Sequence, residues 1–364
     1  MGWNSWNQVR CYDLTEQVVR SAADALVETG LRDKGYRYVV VDDCWQDVRR
    51  GPSGELRPHP ERFPSGMAAL ASYVHERGLR FGIYATPGSE TCAMRWDDYP
   101  GTGLGSLGHE RQDAELFASW GVDFLKYDWC QADLTDGLEP EPAFRTMRAM
   151  LDDLERPMLY SIAEYGEHEP WRWAPGLADQ WRTTQDLGPA WASVARVIDS
   201  QARLADFSGR PGGWNDPDML QIGNGSLTVE ECRSHFSFWA MLDAPLFLGT
   251  DIAALSPELL AIVGNEEVIA VDQDFGGEQG RRVWTGDGEE IWTKRLHSGG
   301  VVVLVHNRNE TERVVTCTAE RIGAPEASSY DVRDLWSHRG LGPLGDGLDL
   351  ELSPHGVRLL AVAP

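Results

Sequence analysis

Short runs of branched and aromatic residues alternate with amphipathic stretches along the first three-quarters of the chain. Residues 1–6 read as a strand, and Val18, Val19, Ala22, Ala23, Leu26 and Val27 share one face of a helix over 15–31. Gly35 closes that helix. A second strand over 36–45 is apolar through Val39-Val40-Val41 and ends in Asp42-Asp43. A helix over 67–76, stopped by Gly78, leads to a strand at 80–86, and a helix over 111–120 leads to a strand at 122–130. Within this fourth strand Lys126 and Asp128 stand two apart and point the same way. The alternation continues with a helix over 143–154, strands at 157–163 and 180–184, a helix over 190–207 and a strand at 212–216. The capping box Thr228-Val229-Glu230-Glu231 opens a helix to 242. A strand at 245–249 and a helix started by Ser256-Pro257 and ended by Gly264 complete the pattern.

This succession predicts an α/β fold, a closed (β/α)8 TIM barrel, over an open doubly wound sheet. No Gly-x-Gly-x-x-Gly turn follows an early strand, which weighs against dinucleotide binding. One connection is long: residues 87–108 carry Cys92, Trp96 and Tyr99, and a loop of this length in a compact domain is usually functional. After about Phe275 the period changes. Segments 290–296, 301–306, 312–319, 330–336, 348–352 and 357–362 read as strands between Gly, Asn, Pro and Ser. They predict a small C-terminal antiparallel β-sandwich with a packing role, and the expected domains are 1–277 and 278–364.

Charge and composition then narrow the partners. The formal charge of −24, from 57 acidic against 33 basic residues, argues against nucleic acid and against an anionic membrane surface. No apolar run approaches the roughly 20 residues that cross a bilayer. The N-terminal residues from Met1-Gly2-Trp3 onward do not read as a basic-then-apolar leader. The expected compartment is cytoplasmic if Met1 is the true start and extracellular if a leader was removed. Oligomeric state is open.

Acids or their partners close the strands: Asp42 and Asp43, Asp128, Glu164, Asp186, then Asp216 and Asp218. A single acid at a strand end is ordinary turn chemistry. Several converging on the mouth of one barrel are not, and a hydroxyl-rich ligand gives each carboxylate two hydrogen bonds to accept. Trp3, Trp6, Trp45, Trp129, Trp181 and Trp214 flank these acids, and indoles stack on the apolar face of a sugar. Two carboxyls in such a setting point to glycoside hydrolysis, with a nucleophile and an acid/base about 5 Å apart in a retaining enzyme. Asp128 beside Lys126 suits the nucleophile, because a nearby ammonium favours the ionised form. The pattern alone does not choose the acid/base among the others. A metal-dependent barrel hydrolase using the same acids as ligands is the rival chemistry.

Six segments carry a resemblance. They are Met1-Gly2-Trp3-Asn4-Ser5-Trp6, Asp42-Asp43-Cys44-Trp45, Gly82-Ile83-Tyr84, Lys126-Tyr127-Asp128-Trp129-Cys130, Trp181-Arg182-Thr183-Thr184-Gln185-Asp186 and Pro211-Gly212-Gly213-Trp214-Asn215-Asp216-Pro217-Asp218-Met219-Leu220. In this order, and with the C-terminal sandwich, the chain resembles glycoside hydrolase family 27, the α-galactosidase or melibiase family. The resemblance implies a retaining exo-glycosidase acting on terminal α-D-galactosyl residues by double displacement, without metal or cofactor. Asp128 is then the nucleophile and Asp186 the acid/base. Substrate-binding roles carry over to Trp6, Asp42, Asp43, Tyr84, Cys92, Lys126, Glu164, Arg182 and Asp218, with Asp42 and Asp43 on the axial 4-hydroxyl and the 6-hydroxyl. The sister specificities are α-N-acetylgalactosaminidase and β-L-arabinopyranosidase, and a non-catalytic sugar-binding relative is a further alternative.

The resemblance also implies the disulfides Cys11–Cys44 and Cys92–Cys130, leaving Cys232 and Cys317 unpaired. A further bridge of many members is replaced by Ala163 and Ala178. Tyr165 stands where many members have Trp, and Thr86-Pro87 replaces an acidic turn. These departures bear on the leaving-group side and on the fine sugar preference.

Overall fold

Eight parallel strands form because each is a short apolar run that can be buried on both faces. The computed structural model, which describes residues 1–209, 211–324 and 328–363, places them at β1 (Gly2–Asn4), β2 (Tyr38–Val41), β3 (Arg80–Ala85), β4 (Phe124–Asp128), β5 (Leu159–Ala163), β6 (Gln180–Arg182), β7 (Trp214–Asp216) and β8 (Phe247–Leu248). Their order in the sheet is β7-β6-β5-β4-β3-β2-β1-β8. From β1 to β7 consecutive strands are neighbours, as short connections favour, and β8 pairs with β1. Val39, Val41, Phe81, Ile83, Leu125 and Tyr127 are fully buried. Gly2 permits the close approach of β1 to β2, since a Cβ there would lie 2.3 Å from the Tyr38 carbonyl oxygen.

Register turns this sheet into a site. Val41 pairs with Ile83, Tyr84 with Lys126, and Asp128 with Ala163. All carboxyl ends of parallel strands share one edge, so whatever polar residues end the strands are brought to the same place.

The chain divides into two compact units, Met1–Asp186 with Phe247–Ala254, and Leu187–Leu246 with Leu255–Pro364. In the first, the helix Glu16–Glu28 is capped by Thr15, whose side chain accepts from the Val18 amide, and buries Val19, Ala22, Ala23, Ala25 and Leu26. The helix expected over 143–154 begins earlier, at Pro140, because proline is favoured in the first turn, where its missing N–H costs nothing. The stretch 87–108 is not all loop: Thr91 caps a short helix, Cys92–Trp96. Two disulfides, Cys11–Cys44 and Cys92–Cys130, close loops of 33 and 38 residues in this unit.

In the second unit the helix Val229–Met241 buries residues 234–241 without a break, Ser234 and Ser237 included, whose hydroxyls donate to the His355 carbonyl at 2.6 Å and the Arg233 carbonyl at 2.8 Å. Thr228 and Glu231 form the capping box there. Eight strands follow: β9 (Arg281–Gly286), β10 (Glu289–Arg295), β11 (Val301–Asn307), β12 (Arg313–Cys317), β13 (Asp331–Asp334), β14 (Arg339–Pro343), β15 (Leu348–Leu352) and β16 (Val357–Ala363). They make a six-stranded sheet, β14-β13-β16-β11-β10-β9, and a pair, β12-β15. The periodicity missed β9 and β14, which are the two edges of the larger sheet. Edge strands carry charge and glycine instead of a clean apolar alternation, as Arg281-Arg282 and Gly340-Leu341-Gly342-Pro343 do. Ile291, Val303, Val305, Val315, Val332 and Leu360 build the core. Lys294 is fully buried, paired with Asp243 and bonded to the Val271 carbonyl at 2.5 Å. Cys232 and Cys317 are free and buried. Among the described residues, no helix is long and apolar enough to cross a membrane.

Each disulfide closes a loop long enough to stabilise the first unit by about 3–4 kcal/mol through the unfolded chain. Reduction is therefore expected to lower the thermal midpoint measured by circular dichroism. Thiol titration should find two free thiols in the unfolded oxidised protein; six would contradict the two bridges.

Candidate active site

The β1 and β2 ends set the first carboxylates. Asp42 accepts at Oδ2 from Asn4 Nδ2 and from Lys126 Nζ, both at 2.7 Å, and at Oδ1 from the Asp43 amide at 2.9 Å. Asp43 accepts from the amides of Cys44 at 2.6 Å and Ala93 at 2.8 Å. The second of these depends on the turn opened by Thr91, which aims the first free amides of the helix Cys92–Trp96 at the site. Burial nevertheless pushes the Asp43 carboxyl up to about 6, since backbone amides offset desolvation only in part and Asp42 adds a like charge.

From β3, Tyr84 brings its hydroxyl to the Cys92 amide and to Cys130 Sγ, each at 3.3 Å. From β4, Lys126 Nζ lies 3.8 Å from Asp128 Oδ2. Burial works to lower the ammonium's pKa, but Asp42 and Asp128 overcome it and the group stays charged. Asp128 is buried, and Tyr165 donates its phenolic proton to Oδ1. Burial pushes Asp128 up to about 7, with Lys126 and Tyr165 opposing and Asp186 and Asp42 reinforcing the rise.

After β5, Glu164 is fully buried and accepts from the His168 amide at 2.9 Å, with His168 Nδ1 also at 2.9 Å. Burial raises this carboxyl to about 7 against the pull of His168. After β6, Arg182 donates to Asp186 Oδ1 at 3.0 Å and to the Thr184 carbonyl at 3.1 Å. The Asp186 side chain is 67% exposed. Partial burial would raise its pKa, but Arg182, then Lys126, hold it below the usual carboxylate range.

The first unit thus brings together Asp42, Asp43, Tyr84, Cys92, Lys126, Asp128, Arg182 and Asp186, and also holds Glu164, against His168, and Trp6, against Arg10. Asp218 belongs to the second unit, where its carboxylate accepts from the Leu187 and Met219 amides at 2.7 Å. Four of the six tryptophans expected to stack on a sugar face the core instead. Trp3, Trp45, Trp129 and Trp181 are fully buried. Their indole edges are spent inside: Trp45 Nε1 donates to the Tyr84 carbonyl and Trp3 Nε1 to the Thr250 carbonyl. They support the strand ends and offer no face to a ligand. Trp6 is half-buried, with the Arg10 guanidinium 5.4 Å from its ring centroid.

Sequence reasoning missed Asn4, His168, Arg10 and the role of Tyr165. Asn4 carried a signal as the polar residue ending β1, and Tyr165 only as a departure from the family pattern. Among the described residues, Cys92, Asp128 and Cys130 group within metal-ligand range. The two sulfurs are bonded to each other, so neither offers the thiolate a metal prefers.

Comparison with known proteins follows the same outline. The family model described as "Alpha galactosidase A" matches residues 1–274, and the "Alpha galactosidase C-terminal beta sandwich domain" matches 286–362. An α-galactosidase of Cyamopsis tetragonoloba is 42% identical over 364 residues, covering all of this chain and 86% of the relative. Alpha-galactosidase A of Cellvibrio japonicus is 39% identical over 386 residues, covering all of this chain and 91% of the relative. The crystal structure of α-galactosidase I from Mortierella vinacea superposes with a TM-score of 0.91 at 34% identity, covering all of this chain and 96% of that one. A Saccharomyces cerevisiae α-galactosidase structure with raffinose superposes at 0.87 and 27% identity, over all of this chain and 97% of that one. Matched by both family models and by full-length relatives, the chain belongs to the α-galactosidase (melibiase) family of glycoside hydrolases.

Proposed function

We propose that this chain is a retaining exo-α-galactosidase, with residues 1–277 as its catalytic part and 278–364 as a packing module. The observation that carries the reading is Asp128 itself: a buried carboxylate at the end of β4, with Lys126 Nζ 3.8 Å from one oxygen and Tyr165 on the other. A second carboxyl, Asp186, stands within electrostatic reach and open to solvent. One carboxylate is thereby arranged to attack and the other to exchange protons with a leaving group and with water.

In the first half-reaction an Asp128 oxygen forms a bond to the sugar C1 as the bond from C1 to the glycosidic oxygen breaks. The electron pair leaves with that oxygen, which takes the proton of Asp186. In the second half, water adds to C1 and gives its proton to Asp186, and the electron pair of the ester bond returns to Asp128. Lys126, Asp42 and Asp43 supply donors and acceptors for the ring hydroxyls, and Glu164 an acceptor for a free 2-hydroxyl. The α-galactosidase relatives support galactose as the sugar. A panel of aryl α-galactoside, α-N-acetylgalactosaminide and β-L-arabinopyranoside tests it. The first should turn over fastest; a faster second or third would assign the matching sister specificity instead.

Asp128→Asn and Asp186→Asn are each expected to lower kcat/KM on an alkyl α-galactoside by about 10³-fold or more. Their circular dichroism spectra should stay unchanged. An activated aryl leaving group needs no proton, so it should restore the first half-reaction in Asp186→Asn and not in Asp128→Asn. A near wild-type rate for Asp128→Asn would sink the assignment.

The pH profile follows from the two shifts. Productive enzyme has Asp128 ionised and Asp186 protonated. The free protein favours the reverse, with Asp128 near 7 and Asp186 low. Between the two limits the pair holds one proton, and the productive arrangement is its minor tautomer. The profile of kcat/KM against pH is therefore expected to be a bell that falls on the alkaline side near pH 7, where the pair loses that proton. Its acid limb should lie below the usual carboxylate range. Constant kcat/KM through pH 9 would contradict the allocation.

A further inference from the structure

Immediately after Glu164 the backbone makes a reversal that ordinary side chains avoid. Tyr165 has φ of 63° and Gly166 of 79°. A Cβ on residue 166 would lie 2.2 Å from the Thr183 carbonyl oxygen, so glycine alone fits. A bulky aromatic residue in the left-handed region is uncommon and persists where the surroundings hold it. Here they do so on three sides. Asp128 Oδ1, from β4, takes the phenolic proton. Cys92 Sγ, from the turn after β3, lies 3.2 Å from the same hydroxyl. The Arg182 guanidinium, from β6, lies 5.7 Å from the ring centroid. A phenol has one proton to give, and a disulfide sulfur is a poorer acceptor than a carboxylate, so the proton goes to Asp128.

We propose that Tyr165 is the positioning residue of the nucleophile, occupying Asp128 Oδ1 so that Oδ2, the oxygen nearer Lys126, is the one that attacks C1. The proposal rests on the reading of Asp128 as the nucleophile. In the first half-reaction the C1–Oδ2 bond forms while the leaving oxygen departs with its electron pair and the Asp186 proton. Oδ1 becomes the ester carbonyl, and the Tyr165 hydrogen bond weakens as charge leaves the carboxylate. In the second half water oxygen bonds to C1, Asp186 takes the water's proton, and the pair of the C1–Oδ2 bond returns to Asp128. Charge grows on the carboxylate during that step, so the Tyr165 hydrogen bond strengthens in its transition state.

The test compares Tyr165→Phe with protein in which Tyr165 alone is replaced by 3-fluorotyrosine, whose phenol is the stronger donor. On an activated aryl α-galactoside, where breakdown of the glycosyl-enzyme limits turnover, Tyr165→Phe should lower kcat by about 10–100-fold, the weight of a hydrogen bond to a charged group. KM should fall with it as the intermediate accumulates. The groups that face Asp128 are Lys126 on its own strand, Asp42 from β2, Tyr84 from β3, Tyr165 after β5, and Arg182 with Asp186 from β6 and beyond. All but Tyr165 are unchanged in either variant. The limb of kcat/KM assigned to Asp128 should therefore move to higher pH in Tyr165→Phe and to lower pH with 3-fluorotyrosine. Limbs that stay in place, with only the height of the profile changed, would overturn the proposal. Should Tyr165→Phe not fold, the fluorotyrosine shift decides by itself. A catalytically competent Asp128→Asn would instead remove the reading beneath it, which keeps the two failures distinct.

Discussion

Lys126 is the one ammonium around which the carboxylates of the first unit are arranged, and the rest of the site depends on it. It stands 2.7 Å from Asp42 and 3.8 Å from Asp128. At the second distance a pair of unit charges is worth roughly 4 kcal/mol at an effective dielectric of 20. One cation cannot neutralise Asp42, Asp43 and Asp128 together. The deficit is visible: Asp43 and Asp128 are both raised by burial, to about 6 and about 7. Neutral donors partly fill it, namely the amides of Cys44 and Ala93, the Asn4 side chain and the Tyr165 hydroxyl. A cluster left short of donors is one that a polyhydroxylated ligand improves, because every sugar hydroxyl brings a proton to share.

Holding these donors in place is the work of covalent and local constraints near the strand ends. Thr91 caps one turn of helix, and that turn sends the Cys92 amide to Tyr84 and the Ala93 amide to Asp43. The bridge from Cys92 to Cys130 then ties the turn to the segment just after Asp128. Cys11–Cys44 does the same for the residues after β2. Both bridges therefore act within a few residues of a candidate ligand-binding group, where precision of a fraction of an ångström matters to function.

Much of this was legible in the chain because polar residues interrupt apolar runs abruptly. Asp42-Asp43 ends Val39-Val40-Val41, and Lys126 and Asp128 end a buried strand; a parallel sheet collects such interruptions at one edge whatever the details of packing. The tryptophans misled because a large aromatic residue near an acid reads the same whether it faces the ligand or the core. Only packing separates Trp6 from Trp45. Tyr165 was legible as a departure from the family pattern but not as a partner of Asp128, since its orientation depends on a left-handed backbone that no periodicity reveals. His168 was invisible for a simpler reason: its contact with Glu164 is made by a loop, and loop geometry follows from its anchors.

Asp186 shows why the free site is incomplete. Its carboxylate is exposed and bound to Arg182, a setting that keeps it ionised, while the proposed chemistry needs it protonated at the moment the leaving oxygen departs. On the proposed mechanism the proton comes from the same pair, and burial biases it towards Asp128 in the free protein. On that mechanism a bound sugar would change the balance in the required direction at both ends. Hydroxyl donors near Asp128 replace what burial withheld and lower its affinity for the proton, and a leaving group over Asp186 excludes water and raises it. On the proposed mechanism the ligand thus sets the allocation of one proton between two carboxyls, and Tyr165, acting on one carboxyl alone, would shift that allocation without touching the sugar.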